Sequence, residues 1–535
     1  MSASVGHPPV SSIPAWVRDA VFYQVFPDRF ARSARLQPPG PLEPWGEPPT
    51  AHGFKGADLY GLAERLPELA DLGITALYLN PVFASASNHR YHTYDYLAVD
   101  PLLGGDGALR ELLDAAHARD MRVILDGVFN HVGRGFWAFH HVMENGADSP
   151  YRDWFHLSPA VLARQRGLRA YPEATPSWEE VAADPRSYTS GDWSLDHLGY
   201  RAWWGLPALP KLNTDNPRVR EMLWGVAEHW LRFGADGWRL DVPAEIADPA
   251  FWHEFRRRCR AVNPEAYLVG EIWDVAPEWL SDDRFDGLMN YPLLEAILSF
   301  VGGPSLSQGL VAGHHELSRH VHPGDGPAFW RRLEELFAAY APATNAAMLN
   351  LLSSHDMPRI RSLLSGDLAA LRVAVLLQMT LPGAPSVYYG DEVGMEGESD
   401  PGCRGAFPAG AEGRDEDLRS FYRAAIAARH AHPALRADRV RVAGAAGSAV
   451  ALVRGGSDDP TAGGETLLVA VNAGTDPAAL GVVAPELGGR RLVAALSTLA
   501  PGLASSGDGE AIVVADDGAA TLWLAPRAGV LLEPH

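Results

Sequence analysis

Eight times between about residues 20 and 430, a short apolar run gives way to a longer stretch of helical period. The runs are "AVFYQVF", "ALYLNPVF", "RVILDGVFN", "DGWRLDV", "YLVGEIW", "DGLMNY", "AMLNLLSSHD" and "PSVYYGDE". Their length and their Val, Ile, Phe and Tyr content read as strands. "LYGLAERLPELADLG", "GALRELLDAAHARD", "PRVREMLWGVAEHWLRFG" and "LAALRVAVLLQMTL" lie between them and read as helices. Eight strands, each followed by a helix, predict an α/β fold, a closed (β/α)8 barrel of parallel strands. An open doubly wound sheet is the alternative, but no Gly-rich phosphate loop follows the first strand.

One connection is too long for a simple loop. About 80 residues separate "DGVFNHVG" from the next barrel helix, and they are rich in Trp, Tyr, Pro and Asp. Loops of that length rarely lack structure of their own, so 132–212 reads as a small inserted domain on the catalytic face. From about 436 the composition turns to Ala, Gly and Val, with short strand-like runs separated by Gly, Asp and Pro. That pattern predicts an all-β sandwich with a structural role. The expected organisation is a tail at 1–15, the barrel at 16–131 and 213–432, the insertion at 132–212, and the β domain at 433–535.

A net charge of −21 argues against nucleic acid or an anionic membrane surface as partner. No run approaches the apolar length of a membrane span. The N-terminus "MSASVGHPPVSSIPAW" lacks a basic start followed by an apolar stretch, and the chain has only two cysteines, Cys259 and Cys403. These features suit a soluble, cytoplasmic protein.

Several strands end in polar groups. "RVILDGVFNH" ends in Asp126, Asn130 and His131; "DGWRLDV" carries Arg239 and Asp241; "YLVGEIW" holds Glu271; "AMLNLLSSHD" ends in His355 and Asp356. In a (β/α)8 barrel, C-terminal strand ends line the mouth where active sites lie. One Asp after a strand is usually a cap or turn residue. Four strand ends with Asp, Asp, Glu and His-Asp exceed what capping needs. Arg239 and Asp241, two apart on a strand, share one face, while Leu240 and Val242 take the other. A buried charge pair there needs a reason.

"DGVFNH", "GWRLDVPAE", "GEIW" and "LLSSHD" resemble the ordered motifs of the α-amylase superfamily of retaining glycoside hydrolases. "DRF", "ALYLNPVF", "LPKLN" and "YYGDEVGM" are similar to the branch containing neopullulanase, cyclomaltodextrinase and maltogenic amylase. The resemblance implies that Asp241 is the nucleophile, Glu271 the general acid/base and Asp356 the third carboxylate. It implies that Arg239 keeps the nucleophile ionised and that His131 and His355 bond sugar hydroxyls. Tyr91 would stack on the cleaved sugar with His89 beside it, and Asp400 and Arg404 would reach the sugar on the non-reducing side. Asp126 and Glu245 are further candidate substrate-binding residues. The implied substrate is an α-glucan: maltooligosaccharides, cyclodextrins, pullulan or starch. A glucan transferase would use the same carboxylates, and a silent sugar binder would be expected to have lost one of them. The chemistry needs one carboxylate ionised beside a cation and another kept protonated, the latter here expected of Glu271.

Three departures bear on this. "WVRDAVFYQVFPDRF" begins almost at once, so the N-terminal domain through which such relatives dimerise is expected to be absent, leaving monomer and homodimer both open. The stretch after "DRF", "ARSARLQPPG", offers no carboxylate, and Ala244-Glu245 follow the nucleophile where many α-amylases have a Lys-His pair that helps hold calcium. No cofactor and no essential metal are therefore expected. Pro243 and Ala244 also stand where the branch usually reads "VANE", which bears on linkage preference.

Overall fold

The computed structural model describes all residues except 1–12, 174–191, 282–283, 457–463 and 500–510. Most of the expected tail and part of the expected insertion therefore lie outside the described residues.

All eight anticipated strands form: β1 (Phe22–Val25), β2 (Ala76–Leu79), β3 (Arg122–Gly127), β4 (Gly237–Leu240), β5 (Tyr267–Gly270), β6 (Gly287–Leu288), β7 (Leu349–Leu351) and β8 (Ala384–Tyr388). Their order in the sheet is β6-β5-β4-β3-β2-β1-β8-β7. A parallel bridge from Met289, just past β6, to Leu349 at the start of β7 joins the two ends. The result is a (β/α)8 barrel. Seven of the eight strands are buried along their whole length, as expected when helices cover one side and a packed barrel interior the other.

Helix boundaries follow local chemistry. Pro217–Phe233 starts with Asn216 accepting from the Arg218 N–H, has Pro217 in its first turn, and stops at left-handed Gly234. Pro249–Val262 repeats the start with Asp248 and Pro249. Leu368–Thr380 is capped by Asp367 and is buried almost all round, which explains its weak amphipathic pattern.

The chain divides into two compact units, Val25–Leu66 with Tyr78–Glu271, and Met1–Gln24 with Pro67–Leu77 and Ile272–His535. In the first, aromatic rings fill the core: Phe83 stacks on Trp230 at 5.0 Å, and Phe129 meets Trp238 and Phe255 at 5.5 Å each. Bridges from His131 to Lys211 and from Ala202 to Pro210 pin the long segment after β3 where it leaves and where it returns. Within it are the helices Trp137–Asn145, Pro159–Leu162 and Asp192–His197.

In the second unit the C-terminal region forms an antiparallel six-stranded sheet. Its strands are β9 (Val440–Ala446), β10 (Ala449–Gly455), β11 (Thr466–Asn472), β13 (Arg491–Ser497), β14 (Ile512–Val513) and β16 (Ala528–Pro534), in the order β9-β10-β11-β16-β13-β14. A two-stranded sheet pairs β12 (Ala478–Val483) with β15 (Ala519–Leu524). The runs "RVRVAG", "AVALVRG", "TLLVAVNA", "RLVAALS", "EAIVVAD", "ATLWLAP" and "GVLLEP" read as strands in the sequence and account for every one of these except β12. Two alanines and a glycine in "AALGVV" lower its strand propensity, yet Leu480 and Val482 alternate into the core with Leu522 and Leu524.

Candidate active site

Register builds the first cluster. Asp126 on β3 lies level with Arg239 on β4, and Leu240 lies level with Gly270 on β5. The residues that follow, Asp241 and Glu271, therefore leave adjacent strands side by side. Gly237 permits this approach, since a Cβ there would lie 2.1 Å from the Tyr267 carbonyl oxygen.

Arg239 is completely buried and gathers three carboxylates. Its Nη1 donates to Asp126 at 2.9 and 3.1 Å and to Asp241 Oδ1 at 2.9 Å. Its Nη2 lies 3.0 Å from Glu271 Oε2. Burial alone would lower the arginine's pKa, but Asp126 and Glu271 raise it well above its ordinary value. One guanidinium thus holds neighbouring carboxylates that would otherwise repel each other.

The chain beyond β4 departs from the expected strand geometry. Val242 adopts a left-handed conformation, φ 36° and ψ 52°, instead of continuing Leu240's face. This is strained for a β-branched residue, at a cost of about 1–3 kcal/mol. The turn aims the Val242 N–H at Glu271 Oε2, 3.0 Å away.

Asp126 accepts from the hydroxyls of Tyr78 at 2.8 Å and Tyr91 at 2.9 Å, and Asn80 donates to Tyr91 at 3.1 Å. Burial pushes Asp126 up to about 6 against the opposing pull of Arg239 and both hydroxyls. His89 stacks near Tyr91 at 5.8 Å and its Nδ1 accepts the Tyr91 N–H at 3.2 Å. His131 lies face to face with Trp203, 4.8 Å apart and 7° from parallel, and burial lowers its pKa to about 3, keeping it neutral. Glu245 forms an ion pair with Lys211 of "LPKLN" and keeps about a third of its side chain exposed.

A second cluster belongs to the other unit. His355, fully buried, bonds Gln24 through Nδ1 at 3.0 Å and approaches Asp356 Oδ2 through Nε2 at 3.0 Å. Arg404 donates to the His355 carbonyl at 2.8 Å and to Asp356 Oδ1 at 3.2 Å, and pairs with Asp400 at 3.0 Å. His314 adds a bond to the Asp356 carbonyl at 3.2 Å.

Asp126, Arg239, Asp241, Glu271 and Tyr91 thus come together in one unit, as do His355, Asp356, Asp400 and Arg404 in the other. Sequence reasoning missed Tyr78, Asn80, Gln24, Lys211, Trp203 and His314. Tyr78 and Asn80 carried a signal, alternating with Leu77 and Leu79 along β2. Trp203 carried none, because its stack spans 72 positions. Among the described residues no group of three or more His, Cys, Asp or Glu could hold a metal ion, and no helix is long and apolar enough to cross a membrane.

The chain is 40% identical over 426 residues to a cyclomaltodextrinase of a Bacillus species, covering 79% of this chain and 68% of that one. A solved structure from Thermus thermophilus superposes with a TM-score of 0.84 at 45% identity, covering 97% of this chain and 100% of the other. A debranching enzyme from Nostoc punctiforme follows at 0.80 and 39%, over 98% and 99% of the two chains. A family model described as the α-amylase catalytic domain matches residues 24–423, and the chain accordingly belongs to the α-amylase family of glycosidases.

Proposed function

We propose that this protein is a retaining glycosidase cleaving α-1,4 bonds of maltooligosaccharides and cyclodextrins by double displacement. The observation that carries this is the guanidinium of Arg239 held against both Asp241 and Glu271. Asp241 Oδ1 is fixed by Arg239, so Oδ2 is the oxygen that attacks the anomeric carbon, forming a glycosyl ester as the glycosidic C–O bond breaks. Glu271 Oε2 accepts the Val242 N–H and faces the Arg239 guanidinium 3.0 Å away, so the transferable proton belongs on Oε1. That proton goes to the leaving oxygen. Glu271 then takes a proton from water, whose oxygen displaces Asp241. By the family resemblance, Tyr91 of the first unit stacks on the sugar ring and His131 bonds its hydroxyls; in the second unit His355 and Asp356 bind sugar hydroxyls, and Asp400 and Arg404 reach the sugar on the non-reducing side. Asp126 keeps Arg239 and Tyr91 in place. The reaction needs no cofactor, and calcium is not essential.

The likeness to a cyclomaltodextrinase supports cyclodextrins as substrates, and that to a debranching enzyme supports α-1,6 bonds as additional targets. The protein acts in the cytoplasm. Maltotetraose tests the reading. The expected products are shorter sugars alone, each new reducing end appearing first as the α anomer. Longer sugars would identify a transferase, a β anomer an inverting enzyme, and unchanged substrate a silent binder.

A further inference from the structure

Lys55 is fully buried, a rare fate for a lysine. Its ammonium donates to the carbonyl oxygens of Pro44 at 2.6 Å and Glu47 at 2.7 Å, with Glu43 Oε2 at 3.4 Å. Two carbonyls and a carboxylate around one small positive charge are the ligand chemistry of a hard-cation site. The surroundings are balanced without another ion. Arg29 Nη1 lies 3.5 Å from the same Glu43 oxygen and 3.3 Å from Asp28. Asp28 also accepts the backbone N–H groups of Lys55 at 2.8 Å and Gly56 at 3.2 Å.

The loop so held has a job. Its Gly53 carbonyl receives Arg29 Nη2 at 3.0 Å, and Asn88 Nδ2 donates to the carbonyls of Ala51 at 3.1 Å and Gly53 at 2.8 Å. Asn88 begins the "NHRYH" segment, which carries His89 and Tyr91.

We propose that the Lys55 ammonium is the resident cation of an oxygen-lined site in the 43–55 loop, replacing a divalent metal there and positioning the segment that bears Tyr91. Calcium, which the resembling branch often binds through an Asn/Asp-rich stretch after "DRF", does not fit the residues present here, because the oxygens of the 43–55 loop are already taken by an ammonium with a guanidinium behind it. Truncating Lys55 empties the site but leaves its oxygens, so a divalent cation can then enter. The link to Tyr91 rests on the glucan-binding role given above, whereas the cation claim stands independently of it.

The test compares melting of the wild type, Lys55→Ala and Glu43→Gln in EDTA and in millimolar calcium chloride, with KM and kcat on maltotetraose alongside. The wild type should melt identically in both buffers. Lys55→Ala should melt several degrees lower in EDTA and recover part of the loss with calcium or methylammonium. Its KM should rise severalfold with kcat changed by less than about a factor of two. Glu43→Gln should be weakened in the same direction and gain nothing from calcium. A wild type destabilised by EDTA would overturn the proposal, as would Lys55→Ala melting like the wild type or failing to respond to any cation. If Lys55→Ala does not fold, Glu43→Gln indistinguishable from the wild type in melting and KM would overturn it as well. A wild type inactive on maltotetraose would instead count against the glucan reading and leave the melting comparison intact.

Discussion

Arg239 in the first unit and Arg429 and Arg454 in the second are equally buried, yet they do opposite things. Arg239 faces Asp126, Asp241 and Glu271. Arg429, on the helix Glu416–Ala431, donates to the carbonyls of Met379 and Leu435 at 3.0 Å each, and Arg454 on β10 reaches those of Leu435 at 3.0 Å and Ala437 at 2.6 Å. Burial lowers the pKa of Arg429 and Arg454 to about 9, whereas the carboxylates around Arg239 raise its pKa. Carbonyl partners make a buried arginine a bracket between backbone segments. Carboxyl partners at strand ends make it a device for holding several acidic groups ready at once. Burial of charge does not mark chemistry; the company it keeps does.

Removing the two kinds of arginine should therefore have different consequences. Arg239→Met leaves its carboxylates facing one another, a loss of about 3–5 kcal/mol for a broken buried charge set. If the same energy is lost in the transition state, steady-state kinetics on maltotetraose should show kcat/KM reduced by roughly two to four decades, since about 1.4 kcal/mol is a factor of ten. Arg454→Met should lower the denaturation midpoint through its orphaned carbonyls, about 1–3 kcal/mol, with kcat/KM unchanged at temperatures where the protein is folded. If Arg454→Met were as inactive as Arg239→Met while still folded, the contrast between the two would fail.

A smaller effect is a dependence on pH. Burial holds His131 at about 3 and His92 and His156 at about 4, all in the first unit. The unfolded chain protonates each near 6.5 while the folded chain does not, so their stabilisation is present above 6.5 and lost as pH falls toward 4 and then 3. Each histidine contributes at most about 1.4 kcal/mol per pH unit to that slope. Compared with the wild type, His131→Gln should lose less stability between pH 7 and 4.5, by about one proton's worth of slope in urea unfolding. Buried carboxyls run the other way in both units: burial raises Asp126 and Asp391 to about 6 and Glu392 to about 7, so the stability they give is fully present below about pH 4 and lost as pH rises through those values.

The barrel is legible in the sequence because parallel strands buried on both sides appear as unbroken apolar runs, each punctuated at its end by polar residues. Asp126, Arg239, Asp241 and Glu271 are legible for the same reason: a charge inside or directly after such a run has no cheap explanation. β12 is not, because alanine and glycine blur its alternation. Lys55 is not either, since nothing local distinguishes a buried lysine from a solvated one; its partners at Glu43, Pro44 and Glu47 meet it only once the loop has folded back. The left-handed Val242 is set by the bond its N–H makes to Glu271, 29 positions along, and no turn residue announces it.

The central claim, that Asp241 and Glu271 divide the chemistry under Arg239, is tested most directly by Glu271→Gln with an activated aryl α-glucoside and azide. Without its proton donor the variant should lose maltooligosaccharide cleavage by several orders of magnitude, while the aryl glycoside, whose leaving group departs without much protonation, still forms the ester on Asp241. Mass spectrometry should find that ester accumulating, and added azide should release it as a glycosyl azide of retained α configuration. Normal hydrolysis of maltotetraose by Glu271→Gln, or a β-glycosyl azide, would contradict the assignment.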